Sequence, residues 1–451
     1  MSSEYDIFIK NAQILTMNKE MEIIDKGFIL VKNSKIVEIG SMTDLTKKHD
    51  TKEEIDAKDK LVIPGFVNSH NHFAMTLFRG IADDLPLKDW LTNYIWPLEG
   101  NLEKNDCYIG TMLAAIEMVQ GGTTTACDMY FHETEVFEAL ERIGFRGVLG
   151  HGMLDFGNEE KRKNEVTETK NLINLVKNKA KLCSVIISPH APNTCSVELL
   201  LEAKKLSEDF NLPLQIHLAE TEKEVEEIKS IYNVTPTQHL QNIGFLCKEL
   251  VAAHCIWLNQ EDYRLIKQND VKIAHNPTSN LKLGSGILNF NQYKNHDILL
   301  ALGTDGPSSN NNLSMIEELR LACYIHKGVN RNTEILPAEE AIKMATINGA
   351  KALGLQDEIG SLEKGKKADI AIINKKTPNV YPPHNPYSMI AYAMNDSNIK
   401  TTIINGKIIM NERKFKTVDV SKTLIDVKEA IIQLLDRANL EQFKDKIRFL
   451  K

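Results

Sequence analysis

Between residues 61 and 305, apolar and polar positions alternate in blocks rather than singly. A short β-branched or apolar run ends in small or polar residues, and a longer charged stretch with apolar residues at helical spacing follows. The runs are LVIPGFVN (61–68), TTTACDM (123–129), RGVLGHG (146–152), SVIISPH (184–190), LPLQIHL (212–218), LVAAHC (250–255), VKIAH (271–275) and ILLALGTD (298–305). VELLLEAKKLSEDF (197–210) and EKEVEEIKSIY (222–232), the latter preceded by Thr221 as N-cap, read as amphipathic helices. Strands alternating with helices imply parallel pairing, and eight such units are the number that closes an α/β fold into a (β/α)8 TIM barrel. AEEAIKMATINGAKALG (338–354) is expected as a helix packed outside the closing turn.

The two ends of the chain follow another rhythm. DIFIKNAQILTM and GFILVKNSKIVEIG near the start, and ADIAIIN and TTIINGKIIMNERKF near the end, alternate residue by residue around Asn-Ser and Asn-Gly turns. Asn-Gly between alternating strands is a strong hairpin signal. The pattern predicts a small β-sandwich assembled from residues 1–60 and 356–418, with the barrel (61–355) inserted between them and a helical tail over 419–451.

Composition narrows the setting. In 451 residues, 54 Lys and Arg stand against 61 Asp and Glu, a net charge of −7, which disfavours nucleic acid or an anionic membrane as partner. The first ten residues lack the basic and apolar regions of a signal peptide, and no apolar run reaches the ~18 residues that span a bilayer. Seven scattered cysteines without a CxxC pair fit reduced thiols, so a cytoplasmic protein is expected.

The chemistry lies in the histidines. Five of thirteen (His70, His72, His190, His217 and His254) fall at inferred strand ends, and Asp305 closes the eighth run. Residues two apart on a strand face the same way, so His70 and His72 can converge on one ion. All strand ends of a barrel meet at one mouth, where His217 and Asp305 can join them. Three imidazoles and a carboxylate form a catalytic zinc-type site, in which the ion brings the pKa of bound water towards ~7. Taken singly, HxH is a weak signal, a strand-end histidine is more often packed in a core, and Asp305 suits a turn; the combination favours a site.

PGFVNSHNHFAMTLFRG (64–80), DWL (89–91), IWPLE (95–99), SPHAP (188–192), HLAET (217–221), HNPTSNLKLGSG (275–286) and GTDGPSSNNNLSM (303–315) resemble the amidohydrolase superfamily. Within it, the chain is most similar to the 5-methylthioadenosine/S-adenosylhomocysteine deaminases, which include 5′-deoxyadenosine deaminases. The resemblance implies metal ligands His70, His72, His217 and Asp305. Binuclear relatives carry a carboxylated lysine where this chain has His190, so one divalent ion is expected: Zn²⁺, with Fe²⁺ or Mn²⁺ also suited to the ligands. It further implies that Glu99 accepts the ribose hydroxyls and His190 contacts the nucleoside. Glu220 protonates the ring nitrogen, Asp305 relays a proton to the leaving amine, and His254 orients water.

Relatives often present Arg residues to the 5′ substituent. Here that position holds His151, with Arg162 a loose substitute, which favours uncharged 5′ groups. Trp90, with Phe73 and Met75, is expected either to lid the base or the 5′ group or, equally, to pack in the core. His275 is expected to be structural, tied into the 277–280 loop; His132 and His326 have no comparable context. The expected activity is deamination of a small-molecule adenine nucleoside by a homo-oligomeric enzyme. The alternatives are the same machinery on guanine, a pyrimidine or a triazine, or a silent metal- or purine-binding barrel. The HxE…PCxxC pattern of polynucleotide deaminases is absent.

Overall fold

The computed structural model describes residues 4–45, 50–85 and 87–440. The first strands are β1 (Tyr5–Leu15), β2 (Ile23–Lys32), β3 (Lys35–Ser41), β4 (Thr51–Asp56) and β5 (Lys60–Pro64). Asn33 and Ser34 both take positive φ (49° and 66°), the twist a two-residue hairpin between β2 and β3 requires. The middle of the chain supplies β6 (Phe66–Asn71), β7 (Thr123–Asp128), β8 (Arg146–Leu149), β9 (Gly152–Met153), β10 (Ser184–Val185), β11 (Ser188–Pro189), β12 (Leu214–Leu218), β13 (Leu250–His254), β14 (Lys272–His275) and β15 (Leu300–Leu302). The end supplies β16 (Ile370–Asn374), β17 (Ile399–Ile404), β18 (Lys407–Asn411) and β19 (Lys414–Phe415).

Both chain ends build one β unit. Its nine strands hydrogen-bond as a single continuous sheet in the order β19-β18-β17-β16-β5-β1-β2-β3, with β4 on β1. The seam is antiparallel β16 on β5, where Ile372 sits opposite Val62. Alternate positions, among them Ile9, Ile29, Val62, Ile372 and Ile403, form one buried apolar cluster.

The middle strands all pair in parallel and follow chain order: β6-β7-β8-β10, β9-β11 and β12-β13-β14-β15. An Ile187–Leu214 bridge joins the fourth run to the fifth. The last strand returns to the first through side chains and backbone. Asn68 Nδ2 donates to Thr304 Oγ1 (2.7 Å), Thr304 N–H to Asn68 Oδ1 (3.0 Å) and Asp305 N–H to the His70 carbonyl (3.0 Å). A Cβ at Gly303 would lie 2.5 Å from Asn276 Oδ1 and 2.8 Å from the His70 carbonyl, so glycine permits this approach.

The helices Val197–Phe210 and Glu222–Tyr232 match their sequence patterns, each capped by the preceding Ser196 or Thr221 side chain. The expected helix over 338–354 is instead two, Ala338–Met344 and Ile347–Ala352. The Ala345 carbonyl accepts the Val67 N–H at 2.9 Å and so leaves the helical ladder. The expected tail contains the helix Val420–Arg437; residues 441–451 lie outside the described residues. No helix among the described residues is long and apolar enough to cross a membrane.

Candidate active site and metal centre

The carboxyl ends of the parallel strands bring His70, His72 and His217 together, all with one ring nitrogen within 4.8 Å of the others. His217 Nε2 lies 3.1 Å from His70 Nε2. Asp305 Oδ1 lies 3.1 Å from His72 Nε2 and 3.7 Å from His70 Nε2.

The second nitrogen of each ring shows what this cluster fits. His72 Nδ1 faces the Met129 carbonyl (2.6 Å), His217 Nδ1 the His190 carbonyl (2.8 Å) and His70 Nδ1 the Gln215 Oε1 (3.4 Å). Gln215 donates its amide to the Asp128 carbonyl (2.6 Å) and Ser188 Oγ (3.0 Å), which fixes its oxygen as the acceptor. Each Nδ1 therefore carries a hydrogen, which leaves the Nε2 lone pairs of His70 and His217 facing each other while His72 Nε2 faces Asp305. A cation relieves that crowding, and outer partners of this kind are what orient metal-ligating histidines.

The electrostatics agree. Burial drops the His70 pKa to about 3 and holds that of His217 well below the ordinary range. Burial opposes charge at His72 too, but the Asp305 carboxylate more than offsets it and raises the value to about 9. Burial also penalises the Asp305 anion, yet the His72 hydrogen bond and the surrounding imidazoles keep it well below a usual carboxylate. Asp305 thus calls for positive charge where the three nitrogens converge. Its other oxygen accepts from Ser279 Oγ (2.6 Å).

Two further groups close on this centre. Glu220 lies with Oε2 3.8 Å from His254 Nε2, and its Oε1 accepts from Ser285 Oγ at 3.2 Å. His254 is fixed from behind by Asn280 Oδ1, 2.8 Å from Nδ1; burial disfavours its charged form, but Glu220 and Asp305 raise its pKa overall. His254 and Asp305 both take left-handed φ (71° and 59°), a strain of ~1–3 kcal/mol each that surrounding structure must enforce. His190 packs 4.8 Å from the His217 ring, its pKa lowered by burial to about 4.

Glu99 accepts the Tyr130 hydroxyl at 2.9 Å, and burial lifts its carboxyl to about 7 against that hydrogen bond. It borders a cavity of about 890 Å³ that His151 also lines. His151 Nε2 lies 2.5 Å from Glu165 Oε2. Arg162 turns instead to Asp155 (3.8 Å) and Glu202 (3.5 Å). Trp90 packs in the main apolar core, as does Phe73, and it is Trp96 that borders the cavity. Met75 is in the same core, with its sulfur accepting from Ser308 Oγ at 3.0 Å.

His275 corrects an expectation. Its Nε2 faces His326 Nε2 at 3.0 Å rather than the 277–280 loop, because both rings are buried and turned towards each other. The sequence reading also missed Gln215, Ser279, Asn280, Ser285 and Tyr130. Gln215 had a usable signal, since it sits two residues before His217 and shares its strand face. Ser279 and Asn280 hold the site from the short helix Pro277–Lys282, and Ser285 and Tyr130 from outside the helices and strands, where spacing carries no direction.

Comparison with known proteins agrees with this geometry. The model of the Amidohydrolase family matches residues 61–409. The chain is 45% identical over 430 residues to a 5′-deoxyadenosine deaminase of Methanobrevibacter smithii, covering 95% of this chain and 98% of that protein. It is 44% identical over 433 residues to a 5-methylthioadenosine/S-adenosylhomocysteine deaminase of Thermoanaerobacter pseudethanolicus, covering 96% and 100%. Among solved structures, a zinc-bound adenosine deaminase from Xanthomonas campestris superposes with a TM-score of 0.91 at 29% identity, covering 95% of this chain and 98% of that one. With a family match over most of its length and relatives this similar, the chain belongs to the amidohydrolase family.

Proposed function

We propose that this chain is a metal-dependent hydrolytic deaminase of adenine nucleosides, releasing ammonia and the inosine analogue. The reading includes a (β/α)8 barrel over 61–355, a β-domain from 1–60 and 356–418 whose strands form one continuous sheet rather than the two sheets of the expected sandwich, and a tail over 419–451. The observation that carries it is the carboxyl of Glu220, held by Ser285 beside His254 and the histidine cluster. A binding module needs no such proton-transfer group. The names of the deaminase relatives support the substrate class.

His70, His72, His217 and Asp305 would hold one divalent ion. Zn²⁺ suits three imidazoles and a carboxylate, and the Xanthomonas structure contains it; Fe²⁺ or Mn²⁺ suits the same ligands. When bound, the ion polarises and acidifies water. Asp305 takes a proton from the attacking water and passes it to the amine leaving C6. Glu220 gives its proton to the ring nitrogen beside C6 and regains one as the product carbonyl forms. His254, locked by Asn280, orients the water and stabilises the oxygen of the tetrahedral intermediate. Glu99 accepts both hydroxyls of the ribose diol, one on each carboxylate oxygen. His190 contacts the nucleoside.

The test is a panel of adenosine, methylthioadenosine, 5′-deoxyadenosine, guanine, a pyrimidine and a triazine with metal-loaded protein, followed by ultraviolet absorbance and ammonia release. Nucleosides are expected to turn over. Turnover of a free base alone would defeat the role given to Glu99.

A further inference from the structure

Glu220 is not on a strand, so side-chain alternation does not aim it at the histidine cluster. It lies just past the end of β12, and the backbone turn between them has to set its direction. Ala219, inside that turn, takes a left-handed φ (49°), which a residue other than glycine keeps only under constraint. The chain after β13 supplies one side of that constraint. Cys255 N–H donates to the Leu218 carbonyl (2.9 Å), and the Ile256 and Trp257 N–H groups donate to that of Ala219 (3.0 Å each).

The other side is Glu224, a buried acid that the proposed mechanism does not use. Its Oε1 accepts the Ala219 N–H and its Oε2 the Glu220 N–H, each at 2.9 Å. Glu224 is third in the helix Glu222–Tyr232, where a glutamate ordinarily bonds back to the N–H of the N-cap residue. Here the Thr221 hydroxyl caps the helix by accepting the Glu224 N–H (3.1 Å), and the carboxylate reaches past Thr221 to the turn. Capping therefore does not account for the acid. Burial disfavours its anion and lifts its pKa to about 7, while the two N–H bonds pull the value down. Two consecutive N–H groups need two acceptor oxygens, and an amide side chain offers one.

We propose that Glu224 is a positioning residue for the deamination: its carboxylate fixes the Ala219–Glu220 turn and so points the Glu220 side chain at His254 and the histidine cluster. The carboxyl of Glu220 is held separately by Ser285 Oγ, and the Ser285 carbonyl accepts Trp257 Nε1 at 2.7 Å. Holding both the backbone and the carboxyl of Glu220 restricts where its proton can be delivered. Without Glu224, two N–H groups lose their acceptors and the left-handed turn loses one of its two restraints. The inference rests on the deaminase reading above.

Glu224→Gln keeps the shape of the side chain but leaves one of the two N–H groups facing an amide. With metal-loaded enzyme and methylthioadenosine, kcat is expected to fall about 10- to 100-fold, the effect of a misplaced proton donor. KM, and metal affinity read by competition with a chelator, are expected to stay at the parent values. The same exchange made in Glu220→Gln is expected to cost nothing further, because the proton donor that it positions is already gone. A role confined to the fold lowers the urea midpoint and leaves kcat of the folded enzyme unchanged. That result, or an equal loss of kcat in both backgrounds, overturns the inference. Should Glu224→Gln fail to fold, Glu224→Asp, one methylene short of reaching both N–H groups, is put through the same cycle. If no nucleoside turns over, or Glu220→Gln keeps the parent rate, the deaminase reading itself fails and this inference falls with it.

Discussion

At the metal centre, the ring nitrogen that points away decides what the other one can do. His70, His72 and His217 each spend Nδ1 on an oxygen acceptor, and two of those acceptors are backbone carbonyls that substitution cannot remove. Gln215 is the exception, and it makes a prediction. Gln215→Leu removes the acceptor for His70 and should weaken metal binding by ~10–100-fold, read by competition with a chelator at unchanged secondary structure. An unaltered affinity would mean that the ring orientation is set elsewhere. In the proposed mechanism, Glu220 acts at the other end of the chemistry. Glu220→Gln keeps the Ser285 contact but cannot give a proton, so metal content should stay while kcat falls by ~10²–10⁴-fold. Turnover near the parent rate would remove Glu220 from the mechanism.

At the level of elements, strand ends were the legible part of the sequence. Side chains alternate on a strand and parallel strands share a mouth, so His70, His72, His217 and Asp305 could be brought together without knowing any loop. Partners such as Ser279 and Asn280, on the short helix Pro277–Lys282, could not, since nothing in their spacing gives a direction. The single helix expected over 338–354 failed for a tertiary reason: Val67 claims the Ala345 carbonyl, and a Cβ at Gly349 would sit 2.9 Å from Val67 Cβ. Helical periodicity does not report such a competitor. The helix Met315–Asn330 shows a related long-range role. Glu318 accepts the Thr278 N–H (3.1 Å) and the Asn310 amide (2.6 Å), tying the short helix that carries Ser279 to the segment that follows Asp305. Burial raises its carboxyl from the ordinary 4.5 to about 8. Between those values the folded chain holds a proton that the unfolded chain sheds, so this group's contribution is full below 4.5 and declines as pH rises towards 8. Glu318→Gln should flatten the fall in stability over that window, measured as urea midpoints at successive pH values. A parallel decline in both proteins would place the titrating group elsewhere.

Across the whole molecule, the sheet built from the two chain ends is joined to the parallel strands by a buried ion pair as well as by apolar packing. Arg146, on β8, donates from Nε to Asp369 Oδ2 (2.9 Å) and from its terminal nitrogen to Oδ1 (3.1 Å). Asp369 precedes β16, and its Oδ1 also accepts the Asn405 N–H at the β17–β18 turn (2.7 Å), while its carbonyl accepts the Gly65 N–H (2.9 Å) between β5 and β6. One residue therefore fixes a hairpin of the sheet, the crossing from sheet to first parallel strand, and a guanidinium from the third run. Such a pair contributes little net energy relative to an apolar replacement, but losing one partner strands a buried charge. Asp369→Ala should accordingly cost ~3–5 kcal/mol in urea unfolding, and pairing it with Arg146→Met should recover much of that loss. Because the pair sits away from the histidine cluster, metal affinity should change little in either variant. If the single and double variants lose stability equally, the charge is not what matters, and the junction rests on the backbone bonds that Asp369 and Gly65 share.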